Sequence, residues 1–194
     1  MFDPFNDFES AGYLRNFLKE KDLDLVKRLE HMLFVTYQQE ARDYLSSRVR
    51  LEYGDFLYVH KILFSELYPW AGEDRTVTSP NIRVSKRDVQ FADTSDLVAA
   101  INEGLRLGQI NEKMVSLPGS IMGLFAYGHP FLDGNGRVMQ LVHSELCRRA
   151  NFSIDWQAAM KDAYLNMLTE EIKDPRKNVL NDYLLKFKVN DEKG

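Results

Sequence analysis

The chain has 194 residues, 44% hydrophobic and 12% aromatic, enough apolar surface for one packed domain over residues 1–194. Its 25 basic and 29 acidic side chains leave a net charge of -4 at pH 7, a balance that argues against general nucleic-acid binding. The single cysteine, Cys147, excludes an intrachain disulfide and a cysteine-based zinc site. No run of about 20 apolar residues occurs, so no membrane span is expected. The opening "MFDPFNDFES" is acidic and lacks a basic segment followed by an apolar run, which speaks against a signal peptide. The expected setting is reducing and cytoplasmic, although export by a system that reads other signals leaves no mark in such residues.

Helical periodicity dominates the chain. From Asp22 to Leu45, Val26, Leu29, Leu33, Tyr37, Tyr44 and Leu45 recur at spacings of three and four. Gly54 to Leu67 repeats the pattern, and "YPWAGEDRT" then breaks it. Val77 to Phe91 carries β-branched residues around a Ser-Pro-Asn turn and a second polar turn at Lys86-Arg87-Asp88, the one stretch that suits strands, as a short hairpin. Helix resumes in "DTSDLVAAINEGL", with Thr94 or Ser95 as caps and Gly104 or Gly108 near the end. Pro118 suits the start of a further helix through Phe125. After Gly136 a helix carries Val138, Leu141, Val142, Glu145 and Leu146 on one stripe, and Arg148 and Arg149 suit its negative end. Two helices follow, about Trp156 to Leu168 and Asn178 to Phe187, separated by "KDPRKN", and the tail "VNDEKG" reads as frayed. The fold class is therefore all-α with a short β-hairpin. His31 and His60 fall inside helical patterns and read as structural, and Trp70 reads as a core aromatic.

The connection between the two central helices is "GHPFLDGNGRVMQ", Gly128 to Gln140. Two glycines around Asn135, directly before a helix, allow successive N–H groups to face one point, where the helix dipole adds positive potential. Arg137 places a guanidinium fork beside that cradle. Asp133 can hold a magnesium ion that also touches phosphates. His129 can accept a proton near neutral pH. These are the parts of a phosphoryl or nucleotidyl transfer site. A plain helix–turn–helix connection uses the same turn residues, and spacing alone does not separate the two. The P-loop pattern is absent.

The run "HPFLDGNGR", His129 to Arg137, closely resembles the signature of the Fic family. "VHKILFSELYPWAGEDRT" and "VSKRDVQFA" resemble the segments that precede that signature, so the likeness spans about residues 55–150. It implies a helical bundle with a hairpin flap, and transfer of AMP from ATP to a Ser, Thr or Tyr hydroxyl of a target protein. By resemblance, His129 is the general base, Phe131 anchors the loop, and Asp133 binds Mg2+. Gly134, Asn135, Gly136 and Arg137 hold the nucleotide phosphates. Ser85 and Lys86 in the flap pair with the target backbone as an added strand. Lys86 and Arg87 otherwise read as solvated turn charges.

Gln140 departs from the family pattern, which has a second arginine there. Loss of one charge-assisted hydrogen bond is worth about 1.5–3 kcal/mol. Two alternatives therefore stand beside AMP transfer. One is transfer of another phosphate-containing group, such as a different nucleotide, phosphocholine or phosphate. The other is a regulatory or binding protein with attenuated catalysis. His143, further along the same helix, reads as a packed residue rather than a replacement ligand. Many relatives are restrained by a glutamate that pairs with the second arginine. "TYQQEA" matches most of that pattern, but Glu40 lies in an amphipathic helix and Gln140 removes its ionic partner. Inhibition by a small antitoxin-like partner is compatible with the family.

Overall fold

The computed structural model describes residues 7–86 and 89–190, apart from the side chains of Tyr13 and Lys86. Helix α1 (Leu23–Ser47) opens at Asp22, whose carboxylate accepts the N–H groups of Asp24 and Leu25. That satisfies two donors which no helix start can pair internally. Its inner face buries Val26, Ala41 and Leu45, and with them the carboxylate of Glu30. Helix α2 (Tyr53–Phe64) packs along α1. The Asp55 carboxylate fixes its start by accepting the Glu52 N–H at 2.8 Å.

A single helical turn, α3 (Arg75–Thr78), follows the "PWAG" bend and is capped by Asp74, which accepts the Thr76 N–H at 2.8 Å. The expected hairpin is present but short: β1 (Ser85–Lys86) and β2 (Val89–Gln90) pair antiparallel, Ser85 opposite Gln90. Arg87 and Asp88, which follow β1 in the sequence, lie outside the described residues. Helix α4 (Leu97–Gly108) ends at the expected glycine, but neither Thr94 nor Ser95 caps it. The Thr94 hydroxyl instead donates to the Pro80 carbonyl, tying the helix start to the turn after α3.

After the short α5 (Asn111–Ser116), helix α6 (Pro118–Gly128) begins at its proline and runs through the centre, packed on α4. Helix α7 (Asn135–Arg149) carries the expected buried stripe, Val138, Leu141, Val142, Glu145 and Leu146. Its terminal arginines lie in its last turn, as expected. Both pair with Glu145, and Arg149 also donates to the carbonyls of Leu45, Arg48 and Val49. It thus caps the C-terminal end of α1, whose last carbonyls lack helical partners.

Two expectations near the C-terminus are corrected. A second sheet exists: β3 (Phe152–Ile154) pairs antiparallel with β4 (Lys188–Asn190), so Val189 and Asn190 are paired rather than frayed. The alternation that buries Phe152 and Ile154 needs a partner strand, and the Lys188 ammonium rests over the Phe152 ring at 4.8 Å. Residues 191–194 lie outside the described ones. Helix α8 spans Lys161–Lys173 instead of starting at Trp156. The Asp155 carboxylate accepts the Gln157 and Ala158 N–H groups and holds that stretch as a turn. Helix α9 (Val179–Leu184) continues as a tighter turn to Phe187 and packs with α8 against α6.

Candidate functional site

The His129–Arg137 loop joins the end of α6 to the start of α7 and is held from beneath by buried side chains. His129 ends α6 in a left-handed conformation, φ 40°, which sets it apart from the helix before it. Arg75, 1% exposed, secures that geometry: its Nε donates to the His129 carbonyl at 2.7 Å. One terminal nitrogen donates to the carbonyls of Ala92 at 2.7 Å and Gly128 at 3.3 Å. The Arg75 backbone N–H donates to the Pro130 carbonyl. A single arginine thus ties the backbone of this loop to the residue just after the flap. The His129 ring stacks on Phe91 at 3.9 Å, at the foot of the flap.

Phe131 is fully buried, as an anchor should be, and stacks on His60 at 3.9 Å. His60 is buried too. The Gly72 N–H donates to its Nδ1 at 2.9 Å, so its Nε2 carries the proton and donates to the Asp133 carbonyl at 3.1 Å. Burial lowers its pKa to about 3, so the ring stays neutral and acts as a strut under the loop. Trp70 packs on His60 and Tyr68 as a core aromatic, its indole N–H donating to the Arg15 carbonyl.

The cradle residues divide their work. The Asn135 side chain is spent on the loop itself: it accepts the Phe131 N–H at 2.8 Å and donates to the Phe131 carbonyl at 2.7 Å. Only its backbone N–H remains for an anion, together with that of Gly136, at helix positions that have no internal acceptor. Gly134 adopts φ +77°, and a Cβ there would meet Phe64 at 2.5 Å. Gly136 is exposed, and a Cβ there would meet nothing within 4 Å. One terminal nitrogen of Arg137, Nη1, is buried without a hydrogen-bond partner, while its Nη2 reaches the Glu30 carboxylate at 3.1 Å. An orphaned guanidinium nitrogen beside exposed helix N–H groups fits an anion such as phosphate.

Asp133 carries its carboxylate at the mouth of this cradle. One oxygen accepts the Gly134 N–H at 2.7 Å, and the other is engaged by the Lys27 ammonium. The described residues contain no cluster of three or more His, Cys, Asp or Glu side chains. A Mg2+ ion here would therefore rest on one carboxylate plus phosphate oxygens, the arrangement magnesium accepts in nucleotide sites.

Behind the cradle lies a charged group that the sequence did not announce. Glu30, fully buried on α1, accepts from the Tyr68 hydroxyl at 2.6 Å and pairs with both Lys27 and Arg137 at 3.1 Å. Burial and the neighbouring carboxylate hold the Tyr68 hydroxyl protonated. The available signal was Glu30's place four residues after Val26, a charge on an apolar stripe. Glu40, the glutamate singled out from sequence, is exposed on the same helix. His31 is exposed as well.

His129, Asn135, Gly136 and Met139 open onto a cleft of about 520 Å³, closed by Val89 and Phe91 of the flap side and by Leu165, Asn166 and Thr169 of α8. The His129 ring and the first N–H groups of α7 thus face one space large enough for a nucleotide. Gln140 is partly exposed and lines an adjoining hollow of about 310 Å³ with Met139 and Tyr164. His143 is fully buried and turned elsewhere, donating to the Pro118 carbonyl at 2.8 Å, and it takes no part in the cradle. Ser85 is exposed on β1.

The Fic/DOC family model matches residues 50–147. The protein adenylyltransferase VbhT of Bartonella schoenbuchensis is 29% identical over 164 residues, covering 79% of this chain and 32% of VbhT. The chain therefore spans about a third of the length of that curated relative. Among solved structures, the N-terminal Fic domain of a VirB-translocated Bep effector from Bartonella quintana, with bound ADP, superposes with a TM-score of 0.77 at 17% identity over 98% of both chains. The BepC protein of Bartonella tribocorum, with bound AMPPNP, gives 0.74 at 16% identity, covering 91% of this chain and 92% of that one. At such identities these two likenesses establish the fold. No helix among the described residues is long and apolar enough to cross a membrane.

Proposed function

The chain belongs to the Fic/DOC family, and on that footing we propose that it is a protein adenylyltransferase, moving AMP from ATP to a Ser, Thr or Tyr hydroxyl of a target protein. The observation that carries this reading is the cleft that His129 shares with Asn135 and Gly136 at the start of α7, with a buried, unpartnered Arg137 nitrogen on the same helix turn. The α-phosphate of ATP would lie at the start of α7, where N–H groups and the helix dipole stabilise charge as it develops. His129 accepts the proton of the attacking hydroxyl, the oxygen adds in line at the α-phosphorus, and pyrophosphate leaves. A Mg2+ ion on Asp133 and the phosphates would supply further charge neutralisation. Flap residues Ser85 and Lys86 would hold the target backbone as an added strand.

Incubation with labelled ATP, Mg2+ and a cell lysate tests the proposal. Label enters protein with the wild type and is lost with His129→Ala. Absence of label, or equal labelling by the variant, refutes it.

Gln140 favours a second reading, donation of another phosphate-containing group, because the site lacks the charge that grips an outer phosphate. Thermal-shift comparison of ATP, UTP, GTP, CTP and CDP-choline separates the two. A clear preference for ATP removes this alternative.

A further inference from the structure

Two cations flank one oxygen of the buried Glu30: Arg137 and Lys27 each lie 3.1 Å from Oε2. Arg137 belongs to the cradle. Lys27 comes from the first turns of α1 and also reaches the Asp133 carboxylate. Its side chain is 24% exposed, so the ammonium is partly open to solvent beside Asp133. The four charges Lys27, Glu30, Asp133 and Arg137 cancel, and Gln140 adds none. A nucleoside diphosphate or triphosphate entering the cradle brings several negative charges, which the Asp133 and Glu30 carboxylates repel and the two cations attract.

We infer that Lys27 is a phosphate-binding residue of this site, a tethered cation that pairs with Asp133 and can move onto the outer phosphate of a bound nucleotide. It supplies there the charge that Gln140 lacks. The inference rests on the proposal that nucleotide phosphates bind at the start of α7. Glu30 is the pivot. It is anchored by the Tyr68 hydroxyl and by Arg137, so it keeps Lys27 close to the cradle whichever anion the ammonium faces. A metal ion taking the Asp133 carboxylate repels the ammonium and directs it to the phosphates. Arg137 and the helix start would serve the inner phosphate, which leaves the outer one to Lys27, held close to Arg137 by the shared Glu30 oxygen. A lysine suits such movement, being a compact charge on a flexible stem.

The test is calorimetric titration of the full chain with ADP and with AMP, each with Mg2+, for wild type, Lys27→Met and Lys27→Arg. The wild type binds both. Lys27→Met weakens ADP roughly tenfold or more, the scale of one lost charge-assisted contact, and leaves AMP within about twofold. Lys27→Arg keeps most of the ADP affinity. If Lys27→Met melts, Lys27→Gln, which keeps a donor for Glu30, takes its place. Unchanged ADP binding in the neutral variant overturns the inference while leaving the site reading intact. Equal losses for ADP and AMP also overturn it, since Lys27 then only shapes the site. A wild type that binds neither ligand overturns both.

Discussion

The Arg75 side chain donates from Nε to the carbonyl oxygen of His129 at 2.7 Å, and it holds the Ala92 carbonyl at the foot of the flap with the same guanidinium. A left-handed histidine costs on the order of 1–3 kcal/mol and persists only where its surroundings impose it. Arg75→Lys keeps a charge but gives up the fork that spans these carbonyls. It should lower stability by about 2 kcal/mol in urea denaturation. Labelled-AMP transfer should fall at least tenfold with little change in ATP affinity. Transfer at the wild-type rate in the variant would show that His129 needs no such support.

Gly134 and Gly136 look alike in the sequence and behave oppositely in the fold. Gly134→Ala places a Cβ against Phe64 at a φ of +77°, so it should cost about 2 kcal/mol or more. Gly136→Ala meets open space and should leave stability unchanged or raised by about 0.5–1 kcal/mol, the usual helical gain over glycine. Its methyl group fills the cradle, so ADP affinity should drop roughly tenfold, the scale of one lost charge-assisted contact. Thermal melts and ADP titrations on both variants check the contrast. Full ADP binding by Gly136→Ala would place the phosphates elsewhere.

Gln140→Arg should restore a charged fork on the cleft side of α7. The expected gain in ATP affinity or transfer rate is about tenfold, read by labelled-AMP incorporation. No gain, with ADP and ATP still bound, would mean that the outer phosphate is already served or lies away from Gln140.

Burial lowers the pKa of His143 from 6.5 to about 4. The unfolded chain therefore takes up the proton first as pH falls. Stability from this residue is complete above pH 6.5 and is lost toward pH 4, by about 1.4 kcal/mol per unit for one proton. Its neighbours are the Pro118 carbonyl, the Cys147 thiol and the edge of Trp156, none of them an anion that favours the charged ring. His143→Gln keeps a donor for Pro118 without titrating. Urea midpoints at pH 7 and pH 5 should differ less in the variant than in the wild type, and equal differences would contradict the assignment.

The sequence by itself determined the helical class, the hairpin, the loop between two central helices, and the order of His129, Asp133 and Arg137 in it. All of these rest on interactions within a few residues: apolar repeats at three and four, a proline at a helix start, turn glycines before a helix. Such signals survive in one dimension because the backbone imposes their spacing. The helix start misplaced at Trp156 failed for a local reason as well, the Asp155 side chain competing for backbone donors. Tertiary structure alone decided the rest. It set Lys27 and Glu30 against Asp133 and Arg137, partners more than a hundred positions away. It assigned the buried contact to Gly134 and the open one to Gly136, and it brought Arg149, besides its pairing with Glu145 on α7, to the end of α1. Those outcomes depend on which surfaces meet when helices pack, and Coulomb attraction and steric contact act between neighbours in space whatever their distance along the chain.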